Sequence, residues 1–386
     1  MQSDISALIA RRIRQDVQSM HAYAIQDSKG MVKLDAMENP HRLSLTLQAE
    51  LGARLGALAL NRYPDGRVND LRKALADYAA MPEGFDIMLG NGSDELISLL
   101  AMACDVPVEP GGKKPVVLAP LPGFVMYAMS AQLQGLDFVG VPLTPDFELD
   151  AAAMCTAITQ HQPAIVYLAY PNNPTANLWD AAAMAQVVRA AGEVGSIVVI
   201  DEAYQPFSSR SYIDVIRANP AAHGHVLLMR TLSKFGLAGV RLGYMMGAKA
   251  LIAEVDKVRP PYNISVLNCE CALFALEHAD TFAAQAADIR TQRQRLLDAL
   301  RAMPGVQPFN SDANMILVRL STETSQAAGQ VAGVDTAQKV FDGLKARGIL
   351  VKNVSKMHPL LANCLRLTVG TADENTRLLA ALSEIL

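Results

Sequence analysis

Ile197-Val-Val-Ile-Asp-Glu-Ala-Tyr204 and Val226-Leu-Leu-Met-Arg-Thr-Leu-Ser-Lys-Phe-Gly-Leu-Ala-Gly-Val-Arg241 are the stretches that decide the fold. Each opens with an unbroken apolar run and then turns abruptly polar. An unbroken run, rather than an alternation, describes a strand covered on both faces. The same texture recurs at Val116-Val-Leu-Ala119, Phe138-Val-Gly-Val141, Ile165-Val-Tyr-Leu168 and Leu242-Gly-Tyr-Met-Met246. Helical patterns separate these runs, among them Leu71-x-x-x-Leu75-x-x-Tyr78 and Ala181 to Ala191. Strands alternating with helices over residues 67–247 predict an α/β fold with a mostly parallel sheet. Ligands of such sheets bind outside the carboxyl ends of the strands. Function is therefore sought at Asp201 and Lys234, which follow two of those ends.

After about residue 262 the texture changes. A long helical stretch runs through Ile289, Leu296, Leu297, Leu300 and Met303 to Pro304. Strands are expected at Met315-Ile-Leu-Val318, Ile349-Leu-Val351 and Leu365-Arg-Leu-Thr-Val369, and a closing helix carries Leu378, Leu379, Leu382 and Ile385. The expected organisation is a large domain over residues 41–262 and a smaller α+β domain made of residues 1–40 and 263–386. A length of 386 residues agrees with two domains.

Composition narrows the class. Hydrophobic residues make up 51% and charged residues 19%, which suits a well-buried core. A net charge of −4 gives no electrostatic attraction to nucleic acid or to an anionic membrane. No apolar stretch reaches the roughly 18–20 residues of a membrane span. The five cysteines lack metal-ligand or Cys-x-x-Cys spacing, so buried thiols in a reducing, cytoplasmic compartment are expected. The seven histidines show no metal pattern, and no metal is expected. The amphipathic, basic stretch Ile5 to Arg14 lacks a signal-peptide core and reads as a helix that packs on the body or on a second subunit.

Three further clusters carry chemistry. Gly90-Asn-Gly-Ser-Asp-Glu95 precedes the helical run Leu96 to Ala103. Such a turn either presents helix amides to an anion or is a plain turn with Ser93 or Asp94 as N-cap. Glu95 occupies the third glycine position of a dinucleotide fingerprint, so that reading fails. Asp201-Glu202 after a strand also fits a Walker B site, but the chain has no Gly-x-x-x-x-Gly-Lys-[Ser/Thr] loop. Pro171-Asn-Asn-Pro-Thr175 is a rigid turn that fixes the direction of Asn173. An amine and a carboxylate at two strand ends are the two groups a pyridoxal phosphate enzyme requires.

Taken in order, these clusters resemble the fold type I pyridoxal phosphate aminotransferases over nearly the whole chain. Leu34-Asp-Ala-Met-Glu-Asn-Pro40, Arg62-Tyr-Pro-Asp65, Gly90 to Glu95, Pro122-Gly-Phe-Val-Met-Tyr127 and Cys364-Leu-Arg-Leu-Thr-Val-Gly-Thr371 make the chain similar to the histidinol-phosphate aminotransferase family. The resemblance implies a transamination between L-histidinol phosphate and 2-oxoglutarate, giving imidazole-acetol phosphate and glutamate. It implies that Lys234 bonds the cofactor and shuttles a proton, and that Asp201 pairs with the ring nitrogen. Asn173 and Tyr204 would meet the ring oxygen, and Phe124 would stack on the ring. Ser93, Asp94, Ser233 and Arg241 would cradle the phosphate, with Gly92 and Thr231 also among the cofactor-binding residues. Tyr63 would reach the site of a neighbouring subunit, making the active unit a homodimer. Arg366 would clamp the carboxylate of glutamate or 2-oxoglutarate, with Tyr23, Asn39 and Lys352 on the substrate side.

Two positions depart from the family pattern. Ala176 replaces a glycine after the Pro-Asn-Asn-Pro-Thr turn, and a positive φ there would cost about 1 kcal/mol. Lys352 stands where an arginine is common, which keeps the charge but loses the bidentate fork. An aromatic or broad-specificity amino acid aminotransferase, or a lyase like threonine-phosphate decarboxylase, is the alternative expectation. The pocket around Tyr23 and Lys352 discriminates among them.

Overall fold

The computed structural model describes residues 2–20, 27–106, 112–321 and 336–386. The chain divides into two compact units, Met1–Met31 and Val32–Leu386. The first contains helices Gln2–Arg12 and Gln15–Gln18, with Ile5, Leu8, Ile9 and Ile13 exposed.

In the second unit, strands β1 (Val32–Lys33), β2 (Phe85–Gly90), β3 (Val116–Leu121), β4 (Asp137–Pro142), β5 (Ile165–Ala169), β6 (Ile197–Asp201), β7 (Val226–Thr231) and β8 (Gly243–Ala248) come first. Seven of them form one sheet in the order β2-β8-β7-β6-β5-β3-β4. The five from β7 to β4 are mutually parallel, and β8 runs antiparallel to both β7 and β2. The sheet is mostly parallel, as its unbroken apolar runs require.

Alternate residues of each strand feed two separate cores. Val166, Leu168, Val198, Ile200 and Leu228 face one, together with Leu71, Leu75, Met184 and Val187 from the helices Arg67–Tyr78 and Ala181–Glu193. Ile165, Tyr167, Val199, Leu227 and Met229 face the other, against Leu96, Leu100, Tyr127 and Ala131 from the helices Ser93–Ala103 and Val125–Gln134. Burying both faces is what makes consecutive residues apolar. β2 was not expected from the sequence, because Asp86 interrupts its apolar run. As an edge strand it tolerates that charge, which Arg72 meets at 3.0 Å.

Downstream come β9 (Val306–Pro308), β10 (Met315–Leu320), β11 (Ile349–Leu350), β12 (Lys352–Asn353) and β13 (Cys364–Thr368). An antiparallel sheet is ordered β12-β13-β10-β9, while β1 and β11 form a separate parallel pair. Helices Ala279–Arg301, Thr336–Ala346 and Ala372–Ile385 cover these strands through Leu296, Leu300, Val340, Leu344, Leu378 and Leu382. Val32, Leu34 and Met37 join the same core. The preceding helix Val266–Glu277 instead contributes Cys269, Ala272 and Leu273 to the core of the larger sheet.

Candidate active site

β2, β3, β5, β6 and β7 all point their carboxyl ends to one edge of the large sheet, and a cavity of about 340 Å³ opens there. Ser93, Asp94, Phe124, Asn173, Asp201, Tyr204, Thr231, Ser233, Lys234 and Arg241 all line it.

The segment after β2 builds an anion-binding corner. Gly92 is the N-cap of the helix Ser93–Ala103 and has φ +89°, so neither Ser93 nor Asp94 is the cap. Gly92 has no side chain with which to cap the helix, so the first-turn amides keep the positive end of the helix dipole. Glu95 instead reaches back to accept from the Asn91 amide at 2.6 Å. A Cβ on Gly92 would lie 2.6 Å from Arg241 Nη2, and one on Gly243 would lie 2.7 Å from the Ser93 nitrogen. Both glycines are therefore required by close approach. Arg241 donates to Ser233 Oγ at 3.2 Å and stands 3.5 Å from Asp94 Oδ2. Thr231 Oγ1 accepts from the Ser233 amide at 3.1 Å, which fixes the serine after β7.

Lys234 follows this serine and is half-buried. Its Nζ donates to the Ala36 carbonyl at 3.0 Å. Burial, then the nearby guanidinium of Arg366, push its pKa down to about 8, with Glu38 offsetting part of the effect. The amine therefore has a substantial neutral fraction near neutral pH.

Asp201 closes β6 and is buried. Tyr127 Oη donates to Asp201 Oδ2 at 2.7 Å, and the Ala203 amide donates to Oδ1 at 3.0 Å. Burial pushes its carboxyl up to about 6, against the lowering effect of those two donors. Beside it, Asn173 Nδ2 donates to Tyr204 Oη at 2.9 Å. Arg366 Nη1 donates to Asn173 Oδ1 at 2.8 Å, and Nη2 donates to the Asp35 carbonyl at 2.9 Å. The plane of this guanidinium is thereby fixed. Glu202, next to Asp201, turns away into a buried pair with Arg230, 2.8 Å apart.

Other expected residues lie elsewhere. Tyr63 is 77% exposed and stacks on Tyr262, with centroids 4.6 Å apart, beside a separate surface cavity. Asn39 donates to Gln285 Oε1 at 2.8 Å. Lys352 on β12 is the direct cross-strand partner of Arg366 on β13, so both side chains project from one sheet face. Tyr23 lies outside the described residues. Ala176 does adopt a positive φ, +66°. Sequence reasoning assigned no role to Tyr127, Glu38 or the carbonyls of Asp35 and Ala36. Tyr127 and the segment 34–40 both lie in motifs quoted above, but backbone acceptors leave no trace in residue type. Among the described residues no group of His, Cys, Asp and Glu could hold a metal ion, and no helix is long and apolar enough to cross a membrane.

The family model described as aminotransferase class I and II matches residues 30–382. The chain is 70% identical to the histidinol-phosphate aminotransferase of Polaromonas naphthalenivorans, covering 100% of this chain and 99% of that one. It is 68% identical to the histidinol-phosphate aminotransferase of Methylibium petroleiphilum, covering 98% and 95%. In three dimensions it resembles the histidinol-phosphate aminotransferase of Sinorhizobium meliloti, crystallised in complex with pyridoxal 5'-phosphate. That match has a TM-score of 0.80 at 24% identity and covers 97% of each chain, which shows a shared fold.

Proposed function

This chain belongs to the histidinol-phosphate aminotransferase family of class I and II aminotransferases, and we propose that it exchanges an amino group between L-histidinol phosphate and 2-oxoglutarate. The products are imidazole-acetol phosphate and glutamate, the cofactor is pyridoxal 5'-phosphate, and the reaction is a step of histidine biosynthesis. One observation carries this reading: an amine of lowered basicity and a buried carboxylate line the same cavity.

The residues present fit the cofactor. A phosphate ester suits the corner formed by the Ser93 and Asp94 amides, Ser233 Oγ and Arg241, where Gly92 leaves no room for a methyl group. Phe124 offers an aromatic face, and Asn173 and Tyr204 offer hydrogen-bonding groups to a ring oxygen. Asp201 supplies the anion for a protonated ring nitrogen, and Lys234 the amine for an aldehyde. When bound, the cofactor supplies an electron sink for the pair left at the substrate's α-carbon.

The chain's own groups do the rest. In this reading Lys234 Nζ would be the base that takes the proton from the substrate α-carbon and the acid that holds it for return to the cofactor's aldehyde-derived carbon, which gives up its double bond as the α-carbon gains one. Its lowered pKa keeps the neutral amine available for that transfer. Asp201 holds the proton on the ring nitrogen. Arg366, already oriented by Asn173 and Asp35, grips the α-carboxylate of glutamate or 2-oxoglutarate bidentately. Lys352, on the same sheet face, adds a cation for the phosphate of histidinol phosphate. Among the described residues, Asn39 is the further candidate on the substrate side.

We further propose a homodimer in which Tyr63 reaches the neighbouring site, supported by its exposure on a surface rather than in its own cavity. For the expected division, residues 41–262 as the large domain and residues 1–40 with 263–386 as the smaller one, the separate core around β10 and β13 supports the smaller domain from residue 32 onward. The five cysteines are all free, which supports a cytoplasmic setting.

The deciding experiment compares kcat/KM for histidinol phosphate, phenylalanine and histidine with 2-oxoglutarate as acceptor. Histidinol phosphate is expected to win by at least about 100-fold, since a lost charged contact costs roughly 3 kcal/mol. Preference for an unphosphorylated donor would move the assignment to an aromatic aminotransferase, the outcome that Lys352 in place of arginine makes worth testing.

A further inference from the structure

Tyr127 lies on the helix Val125–Gln134, and its side chain is buried. The ring is held on two sides: it lies flat against Tyr167, centroids 4.3 Å apart and planes 7° from parallel, and meets Phe124 edge-on at 5.5 Å. This packing aims the hydroxyl at Asp201 Oδ2, 2.7 Å away. We propose that Tyr127 is a positioning residue for the cofactor, its hydroxyl holding Asp201 as the carboxylate that a protonated ring nitrogen would meet. The inference rests on the reading of this cavity as a pyridoxal phosphate site.

The electrostatics require such a donor. Asp94 from the helix Ser93–Ala103, Glu202 next in the chain, Tyr167 on β5 and Tyr204 beyond β6 are the titratable groups around Asp201. None of the four is a cation; Lys234 and Arg241 line the same cavity, but neither is among the groups that act on the Asp201 carboxyl. Burial has already pushed the carboxyl up to about 6, and the tyrosine hydrogen bond is the larger of the two opposing effects. Burial, and then the Asp201 charge, push the Tyr127 hydroxyl well above its ordinary value, so that group stays a proton donor. A protonated Asp201 would lose its attraction for a protonated ring nitrogen. Cofactor affinity must therefore fall as Asp201 takes up its proton, and removing the donor moves that fall to higher pH.

The test is equilibrium dialysis of the loaded protein, measuring the dissociation constant of pyridoxal 5'-phosphate at pH 6 and pH 8.5. Tyr127→Phe keeps the stacked ring and deletes only the donor. The constant should rise about fivefold over the native value at pH 6, the effect of one pKa unit of displacement from about 6, and stay near native at pH 8.5. Tyr167→Phe removes a buried hydroxyl that has no partner among the described residues, and should match the native protein at both pH values. In an Asp201→Asn background, Tyr127→Phe should add no pH-dependent loss. A loss equal at both pH values, no loss, or a residual pH-dependent loss in the Asp201→Asn background would overturn the proposal. Failure of the native chain to bind the cofactor would overturn the functional reading as well.

Discussion

Lys234 illustrates what a single residue owes to its surroundings. The amine is an ordinary lysine in sequence, yet burial and the Arg366 and Arg241 guanidiniums bring its pKa down to about 8. Only the neutral amine attacks an aldehyde, so the sign is fixed. Covalent capture of pyridoxal 5'-phosphate by the cofactor-free chain should accelerate with rising pH and level off above about 8. Stopped-flow absorbance across pH 6 to 10 measures this, and a midpoint near the ordinary lysine value would contradict it. Lys234→Ala should abolish transamination, a loss of about 10³-fold or more, with the circular dichroism spectrum unchanged. Residual turnover near the native rate would remove Lys234 from the chemistry. The importance of this lysine was legible from the abrupt polar turn, Arg230-Thr-Leu-Ser-Lys234, after the apolar run Val226 to Met229. Its depressed basicity was not, because it comes first from burial in the folded chain and then from Arg366, far along the sequence.

Among the elements, the turn from β2 into its helix and the β6–β7 pair carry the site. Gly92 combines a positive φ of +89° with a methyl-sized contact against Arg241 Nη2. Gly92→Ala should therefore cost about 1 kcal/mol of backbone strain and displace the guanidinium. The expected readout is a cofactor dissociation constant raised about tenfold or more. The pair Glu202–Arg230 ties β6 to β7, with further donors to Glu202 from Ser211 Oγ at 2.9 Å and from the Tyr212 amide. Arg230→Met strands a buried carboxylate, and denaturant unfolding should show a loss of about 3–5 kcal/mol. Replacing both partners, Glu202→Leu with Arg230→Met, should recover much of that loss. An unchanged single variant would mean that Ser211 and Tyr212 alone hold the carboxylate. Ala176 at φ +66° is a smaller case: its strain is of the same order as the roughly 0.8 kcal/mol that burying one methyl returns.

At the scale of the molecule, the proposed homodimer makes a prediction that no single subunit can satisfy. Tyr63→Ala spoils the neighbour's site, whereas Lys234→Ala spoils the subunit's own. Refolding the two variants together should place one intact site in each mixed dimer, restoring about a quarter of native activity under twofold symmetry. Sedimentation should give twice the 41.5 kDa chain mass. No recovery on mixing would confine Tyr63 to its own subunit.

The sequence by itself determined the large sheet, because a strand buried on both faces must be apolar throughout, and that signal is local. It also marked Asp201 and Lys234, each after an apolar run, and Asn173 within a rigid turn, whereas Ser233 and Arg241 were expected only from the resemblance. It left β2 unassigned, because an edge strand can carry Asp86. Only the tertiary structure decided which distant groups tune these residues. Tyr127 reaches Asp201 across 74 residues of chain, and Arg366 reaches Asn173 across 193. The Asp35 and Ala36 carbonyls that meet Arg366 and Lys234 belong to a segment threaded beside β11 and β13. Backbone oxygens are the same in every residue, and proximity over such separations is a product of folding, so neither could be read from residue order.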